Sequence, residues 1–144
     1  MKTVTNLLAG SDREIVSVEP ESFVYDALQL MAKNDIGCVL VIDDNKLVGI
    51  MSERDYARKV VLKGRSSWKT ELRDVMRSEF PVVATDTPVE HCMALFSEYK
   101  VRYLPVVDKA KVVGLISIHD VIRELMMEQT EKIEMLNNYI YNCR

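Results

Sequence analysis

The chain has 144 residues, of which 48% are hydrophobic, so it is long enough to bury the core of one ordinary domain. Its formal net charge of -3 provides no general basic field, which argues against broad binding to DNA, other nucleic acids or anionic membranes. No apolar run approaches the roughly 18 residues that span a bilayer, and the N-terminus lacks the apolar stretch of a secretion signal, so we expect a cytoplasmic protein without a membrane partner.

In chain order, the first predicted elements are a short helical lead, a strand and a helix. Residues 4–8 form the lead, and residues 14–18 predict a strand that ends at a proline-containing turn. Val24, Ala27 and Met31 then recur at three- and four-residue spacing, which predicts a helix with one apolar face.

A hairpin and a second helix complete this first unit. Residues 39–42 form a continuous apolar run that is rich in β-branched side chains and too short for a helix, as is typical of a buried strand. Residues 43–45 favour a tight reversal, and residues 46–51 return as the hairpin partner. The second helix is predicted to begin at Ser52, so the unit has the order β-α-β-β-α.

The same unit occurs a second time in the chain. Residues 15–58 overlie residues 80–123 without a gap. The identical pairs include Val41 with Val106, Gly49 with Gly114, Ser52 with Ser117 and Asp55 with Asp120. The strands of the second copy are predicted over residues 81–84, 104–107 and 111–116, and a short helical lead at residues 72–76 precedes them. We place the repeats at residues 10–64 and 75–130 of one module that spans residues 1–144.

The last helix is predicted over residues 120–143, far beyond its counterpart in the first repeat, which stops near Gly64. An apolar stripe follows it at three- and four-residue steps. The stripe comprises Ile122, Leu125, Met126, Gln129, Ile133, Leu136, Ile140 and Cys143. It would be exposed in a monomer, so it either packs on its own domain or forms a homodimer contact, and we favour the homodimer.

The strongest local motif is Gly-apolar-apolar-Ser-x-x-Asp, at residues 49–55 and again at residues 114–120. A glycine within a strand permits close approach of another backbone or of a ligand. Serine at the junction of strand and helix can contact a phosphate, and an aspartate can accept hydrogen bonds from both hydroxyls of a ribose. The same Ser-x-x-Asp spacing is also that of a capping box at a helix start, so the motif alone leaves both roles open.

Together with residues 36–43 and 101–108, which precede it, this motif resembles the CBS domain. A tandem pair of such repeats resembles a Bateman module, here a stand-alone CBS-pair protein of the bacterial or organellar type, and the resemblance spans nearly the whole chain. It implies an α/β (α+β) fold in which two β-α-β-β-α repeats are related by a pseudo-twofold axis and followed by an extended C-terminal helix. One departure from the family pattern is Leu40, where the second repeat has Pro105.

The family resemblance also implies a homodimer and two clefts, each for AMP, ADP, ATP, NAD or S-adenosylmethionine. Adenine is expected beside the first strands of one repeat, and the Ser-x-x-Asp element is expected to come from the other repeat. One cleft then combines Val16, Ile36, Gly37 and Cys38 with Ser117, His119 and Asp120. The other combines Pro81, Val83, Val101, Arg102 and Tyr103 with Ser52, Arg54 and Asp55, and with Arg58 unless that side chain lies on a solvated helix face. Because Gly37 leaves room where Arg102 adds charge, we expect the clefts to differ in affinity.

These features predict a regulatory sensor that binds an adenine nucleotide and acts on an unknown client protein through a conformational or assembly change. We expect no catalytic residues, because the sequence contains no nucleophile-base pair and no GxxxxGK[ST] loop. The two histidines and three cysteines lack the spacing of metal ligands, so no metal and no obligatory cofactor are expected. Two alternatives remain: a structural or RNA-binding adaptor, suggested by the basic residues between positions 54 and 65, and a small nucleotide-processing enzyme.

Overall fold

The computed structural model describes residues 2–10 and 14–142, so the prediction for Cys143 lies outside the described residues. The first part of the chain forms α1 (Val4–Ala9), β1 (Ser17–Val18), α2 (Val24–Asn34), β2 (Cys38–Asp43), β3 (Lys46–Ser52) and α3 (Glu53–Tyr56), which continues as a π-helical turn at Ala57–Val61. The second part forms a 3-10 turn (Leu72–Asp74), α4 (Val89–Tyr99), β4 (Tyr103–Asp108), β5 (Lys111–Ser117) and α5 (Ile118–Asn142). The predicted mixed fold of two repeats with a long C-terminal helix is confirmed.

Each repeat is built around one antiparallel hairpin. In the first repeat β2 pairs with β3, and β1 adds a parallel strand on the other edge of β2. In the second repeat β4 pairs with β5. The reversals place Asp44 and Asn45 at φ 50° and 64°, and Lys109 and Ala110 at φ 50° and 65°. Two consecutive left-handed residues are what a type I′ hairpin turn requires.

The first strand of each repeat is shorter than predicted. In the first repeat regular pairing is confined to β1, where the amide of Leu40 donates a hydrogen bond to the carbonyl of Val16 at 3.1 Å. Pro105 occupies the position of Leu40 in the second repeat and has no amide hydrogen to donate. The strand predicted over residues 81–84 is therefore reduced to a single parallel bridge between Val83 and Val106.

The two lead segments cross between the repeats. α1 precedes the first repeat but packs on the second, where the amide of Val4 donates to the carbonyl of Thr87 at 2.9 Å. The segment before the second repeat packs on the first, where the amide of Leu72 donates to the carbonyl of Ser22 at 2.9 Å. Each lead contributes to the hydrophobic core of the repeat that it covers, so each repeat completes the core of the other.

α5 has a buried start and an exposed end. Val121 is fully buried and Leu125 packs against the core of the second repeat, as the intramolecular interpretation of the stripe predicts. Every described side chain over residues 129–141 is exposed. Ile133, Leu136 and Ile140 are 58%, 62% and 57% exposed, so this half of the apolar stripe packs on nothing in the described part of its own chain.

Candidate functional site

A cavity of about 840 Å³ lies where the two repeats meet. Its lining includes all seven residues predicted for the first cleft: Val16, Ile36, Gly37, Cys38, Ser117, His119 and Asp120. Val16 directly precedes β1, Ile36 and Gly37 precede β2, and Cys38 begins β2. Ser117 ends β5, and His119 and Asp120 lie in the first turn of α5. The fold therefore brings together segments from both repeats, as expected for the first cleft.

A second cavity, of about 290 Å³, lies at the pseudo-symmetric position. Its lining includes seven of the nine residues predicted for the second cleft: Ser52, Arg54, Asp55, Arg58, Val101, Arg102 and Tyr103. Pro81 and Val83 do not line it. The side chain of Val83 is buried in the core of the second repeat, where its backbone forms the bridge to Val106.

Both Ser-x-x-Asp elements form reciprocal helix caps. The amide of Ser52 donates to Oδ2 of Asp55 at 3.2 Å, and the amide of Asp55 donates to Oγ of Ser52 at 3.1 Å. In the second repeat the amide of Ser117 donates to Oδ2 of Asp120 at 2.8 Å, and the amide of Asp120 donates to Oγ of Ser117 at 3.2 Å. The capping role is therefore present in both repeats. A carboxylate has about four acceptor sites, and the amide of the cap occupies one of them.

Asp55 is the more enclosed of the two aspartates. It is buried, and its Oδ1 lies 3.9 Å from Nζ of Lys59 and 4.0 Å from an Nη of Arg77. Arg54 crosses from the first repeat to the second and donates a hydrogen bond to the carbonyl of Lys100 at 3.4 Å. Asp55 thus lies near two cations, and Arg54 separately links the two repeats beside the smaller cavity.

Gly37, Cys38 and Tyr103 form a wall that both cavities share. A Cβ atom at Gly37 would collide with the hydroxyl of Tyr103, so the absence of a side chain there accommodates the tyrosine. The room that Gly37 was expected to leave for a ligand is thus partly filled by Tyr103. The sequence did not indicate this contact, because the two residues come from different repeats.

The strand glycines of the motif accommodate the lead segments. A Cβ atom at Gly49 would lie 2.5 Å from Sδ of Met76, and one at Gly114 would lie 2.6 Å from a methyl carbon of Leu8. The sequence predicted close approach of another backbone or of a ligand, whereas the nearest atoms are those of the Met76 and Leu8 side chains. Leu8 and its neighbours Asn6 and Leu7 also line the larger cavity. These three residues were not predicted to be part of the site.

Arg77 and Lys100 were likewise missed as lining residues of the smaller cavity. The signal that could have indicated Arg77 was the likeness of the two leads, because residues 72–76 follow the same course over the first repeat as α1 over the second. Lys100 adopts a left-handed conformation at the end of α4, with φ 55°, and no sequence pattern placed it at the cavity.

The buried cysteines are poor candidates for thiol chemistry. Burial, together with the negative charge of the nearby Asp55, raises the pKa of Cys38 to about 12. Burial also raises the pKa of Cys92 to about 11. Both side chains are free thiols that remain protonated at neutral pH, and the protonated thiol is neither a good nucleophile nor a good metal ligand.

Two further observations concern metal ligands and membrane-spanning helices. Within residues 2–10 and 14–142, no three His, Cys, Asp or Glu side chains are grouped so that they could hold a metal ion. Over the same residues, no helix combines the length and apolar character needed to cross a membrane.

Comparison with known proteins places both repeats in one family. The profile of the CBS domain matches residues 7–62 and 72–127. A mitochondrial CBS domain-containing protein of Arabidopsis thaliana, CBSX3, is 35% identical over 122 residues, which cover 81% of this chain and 59% of the plant protein. The chain therefore corresponds to somewhat more than half the length of this relative.

Solved structures agree with the fold. A protein with CBS domains from Burkholderia ambifaria is 42% identical, with a TM-score of 0.85 and coverage of 89% of this chain and 96% of that one. The CBS domain pair of protein MJ0100, solved in complex with 5'-methylthioadenosine and S-adenosyl-L-methionine, has a TM-score of 0.77. It covers 89% of this chain and 98% of that one at 22% identity, so its likeness concerns the fold.

Proposed function

Because the chain belongs to the CBS domain family and carries two copies of that domain, we propose that it is a regulatory module that binds an adenine nucleotide, with AMP, ADP, ATP and NAD(H) as the candidate ligands. The observation that carries the proposal is the composition of the larger cavity. It joins the segments around Val16 and Ile36 of the first repeat to the Ser-x-x-Asp element of the second. A pocket of about 300 to 1,000 Å³ is the usual size for a small-molecule site, and this cavity falls within that range.

In the larger cavity we assign each lining group a role that fits its chemistry. Adenine packs between Val16 and the segment Ile36, Gly37 and Cys38, which offers an apolar surface and backbone polar groups. The ribose hydroxyls donate to Asp120, and Ser117 and His119 contact phosphate. In the smaller cavity, Asp55 takes the ribose, Ser52, Arg54 and Arg58 take phosphate, and Val101, Arg102 and Tyr103 form the adenine wall.

The proposal is tested by calorimetric titration with AMP, ATP, NADH and S-adenosylmethionine. We expect at least one of them to bind with a Kd below a millimolar. Asp120→Ala should weaken that binding by about tenfold or more, because a ribose hydrogen bond to a charged acceptor is lost. It should also lower the free energy of unfolding by about 1 kcal/mol, because the helix cap is lost.

Asp26→Ala is the matched control for this experiment. Asp26 accepts a hydrogen bond from the amide of Phe23 at 3.2 Å, which is the same kind of cap at the start of α2, and it lines neither cavity. Asp26→Ala should lower stability without changing ligand affinity. If Asp120→Ala also left affinity unchanged, Asp120 would be a cap alone. If none of the four ligands bound, the sensing function would be refuted.

We further propose that the module acts in the cytoplasm, as a homodimer, on a client protein. The exposed half of the stripe on α5 supports self-association, because an isolated helix face with this much apolar surface is unfavourable in water. Ligand binding changes the affinity for the client to the extent that the ligand prefers one arrangement of the repeats over another. The module itself has no enzymatic role in this mechanism.

A further inference from the structure

The smaller cavity carries a strong excess of positive charge. Six basic side chains line it: Arg54, Arg58, Lys59, Arg77, Lys100 and Arg102. Only two acidic side chains, Glu53 and Asp55, line it with them. The Asp55 carboxylate lies within 4.0 Å of Lys59 and Arg77 and offsets part of their charge. The four remaining basic residues come from both repeats and line the same cavity of about 290 Å³.

The larger cavity has the opposite polarity among its described residues. Its acidic lining consists of Glu14, Asp35, Asp120 and Glu124. Among the described lining residues, Arg123 is the only arginine, and there is no lysine. Glu124 is paired with Lys2 at 3.2 Å, which lowers the excess but does not reverse it. Equivalent backbone segments therefore line the two cavities, but the net charge of the lining residues has opposite sign in the two.

Charge of this kind discriminates between ligands by the number of their phosphates. Clefts lined by one sign of charge concentrate ligands of the other sign, and the effect grows with the ligand's charge and weakens as salt is added. Adenosine, AMP, ADP and ATP share one nucleoside and differ in the length of the phosphate chain. Any difference among them within one cavity is consequently a direct measure of the charge around the phosphates.

We propose that the two cavities sort ligands by charge. The smaller, basic cavity binds the ligand with the longer phosphate chain, so its affinity rises from adenosine through AMP and ADP to ATP. The larger, acidic cavity favours an adenosine ligand with few or no phosphates, or one with a positive charge. This assignment rests on the proposed nucleotide-binding function and adds to it the chemical class that each cavity takes.

The repeat provides a matched pair of variants for the test. Arg58 lines the smaller cavity, and Arg123, its equivalent in the second repeat, lines the larger one. Arg58→Gln and Arg123→Gln remove the same charge from equivalent helix positions, and Lys63→Gln removes an exposed charge that lines neither cavity. Where Arg58→Gln does not fold, as judged by circular dichroism, Arg102→Gln replaces it.

Each protein is titrated by calorimetry with adenosine, AMP, ADP, ATP and inorganic tripolyphosphate, without Mg²⁺, at low and high ionic strength. In the wild type we expect ATP to bind the basic cavity about tenfold more tightly than AMP at low salt, since each charge-assisted contact contributes on the order of a tenfold change in affinity. The ratio should shrink at high salt. Arg58→Gln should reduce it toward one, whereas Arg123→Gln and Lys63→Gln should preserve it.

The outcomes separate this inference from the function on which it rests. If nucleotides bind with equal affinity regardless of phosphate number, or if only Arg123→Gln removes the preference for ATP, charge sorting is wrong while nucleotide sensing stands. If tripolyphosphate binds in an Arg58-dependent manner and no nucleoside ligand binds, the basic cavity is a polyphosphate site and the nucleotide function fails. If nothing in this series binds, charge sorting is wrong, and if NADH and S-adenosylmethionine also fail to bind, the nucleotide function is wrong as well.

Discussion

Cys38 is protonated in the folded protein over a pH range in which an ordinary thiol is ionised. Its pKa rises from 9.0 to about 12 because of burial and the nearby charge of Asp55. The unfolded chain therefore loses its thiol proton first, and the stability that the protonated Cys38 contributes is complete below pH 9. It is lost progressively as the pH rises from 9 to 12.

We expect Cys38→Ala to reveal this dependence. The stability advantage of the wild type over the variant should be nearly constant below pH 9 and should then shrink, at a rate that approaches about 1.4 kcal/mol per pH unit well above pH 9. Urea unfolding at pH 8, 9.5 and 10.5 measures it. Every other residue is common to both proteins, so its effect cancels in the difference. An advantage that does not change with pH would show that Cys38 ionises normally in the folded state.

At the level of single residues, the sequence predicted the members of the larger cavity better than their neighbours. All seven predicted residues line it: Ser117, His119 and Asp120 lie in the duplicated motif, and the other four were expected from the resemblance to the CBS domain. The contact between Gly37 and Tyr103 depends on how the repeats face each other, which periodicity within one repeat does not encode. The same limit applies to Arg77, whose place depends on the path of a lead segment.

The hairpin turns of the two repeats differ in how well their residues tolerate the left-handed backbone conformation. Asn45 and Ala110 occupy the second left-handed position of their turns, at φ 64° and 65°. Asparagine tolerates this conformation, whereas for alanine the crowding of Cβ costs about 1 to 2 kcal/mol. We therefore expect Ala110→Gly to raise the free energy of unfolding by roughly 1 kcal/mol, measured by urea denaturation.

Ala57→Gly is the control for this substitution. Ala57 is also exposed, but it lies in a helical segment with φ -60°, where glycine is less favourable than alanine by about 1 kcal/mol. The two identical substitutions should therefore change stability in opposite directions. Destabilisation by Ala110→Gly would mean that the turn does not carry the strain inferred from its backbone angles.

Element order was predictable because strands and helices have different hydrophobic periods, and the second repeat confirmed the first. Element length was less predictable. The strand at residues 81–84 was predicted from its own apolar residues, yet Pro105 removes the hydrogen bond that would extend its pairing. A residue on the partner strand thus decided the length, and a pattern read along one strand cannot include that partner.

At the scale of the whole molecule, the second half of α5 has an apolar face that no other described part of the chain covers. We expect the full chain to be a dimer and a chain that ends at Met127 to be a monomer, as measured by size-exclusion chromatography with light scattering. The shortened chain keeps Val121 and Leu125, which pack on the core, and loses Ile133, Leu136 and Ile140, which do not. It should therefore fold without associating.

The double variant Ile133→Asp and Leu136→Asp tests the same contact in the full chain. Two charges within the stripe should dissociate the dimer, because their burial in an apolar contact is unfavourable. Glu131→Gln, two residues before the stripe position Ile133 and exposed, should leave the dimer intact. A dimer that survives both the truncation and the double substitution would remove α5 from the interface.

α1 and the segment at residues 70–76 make each repeat depend on the other for a complete hydrophobic core. In isolation, the first repeat would lack Leu72 and Val75, and the second would lack Val4 and Leu7, all of which are buried. A chain with one repeat and its own lead would meet the complement of that lead only in another copy of itself. The covalent link between the repeats therefore keeps each lead segment within reach of the core that it completes.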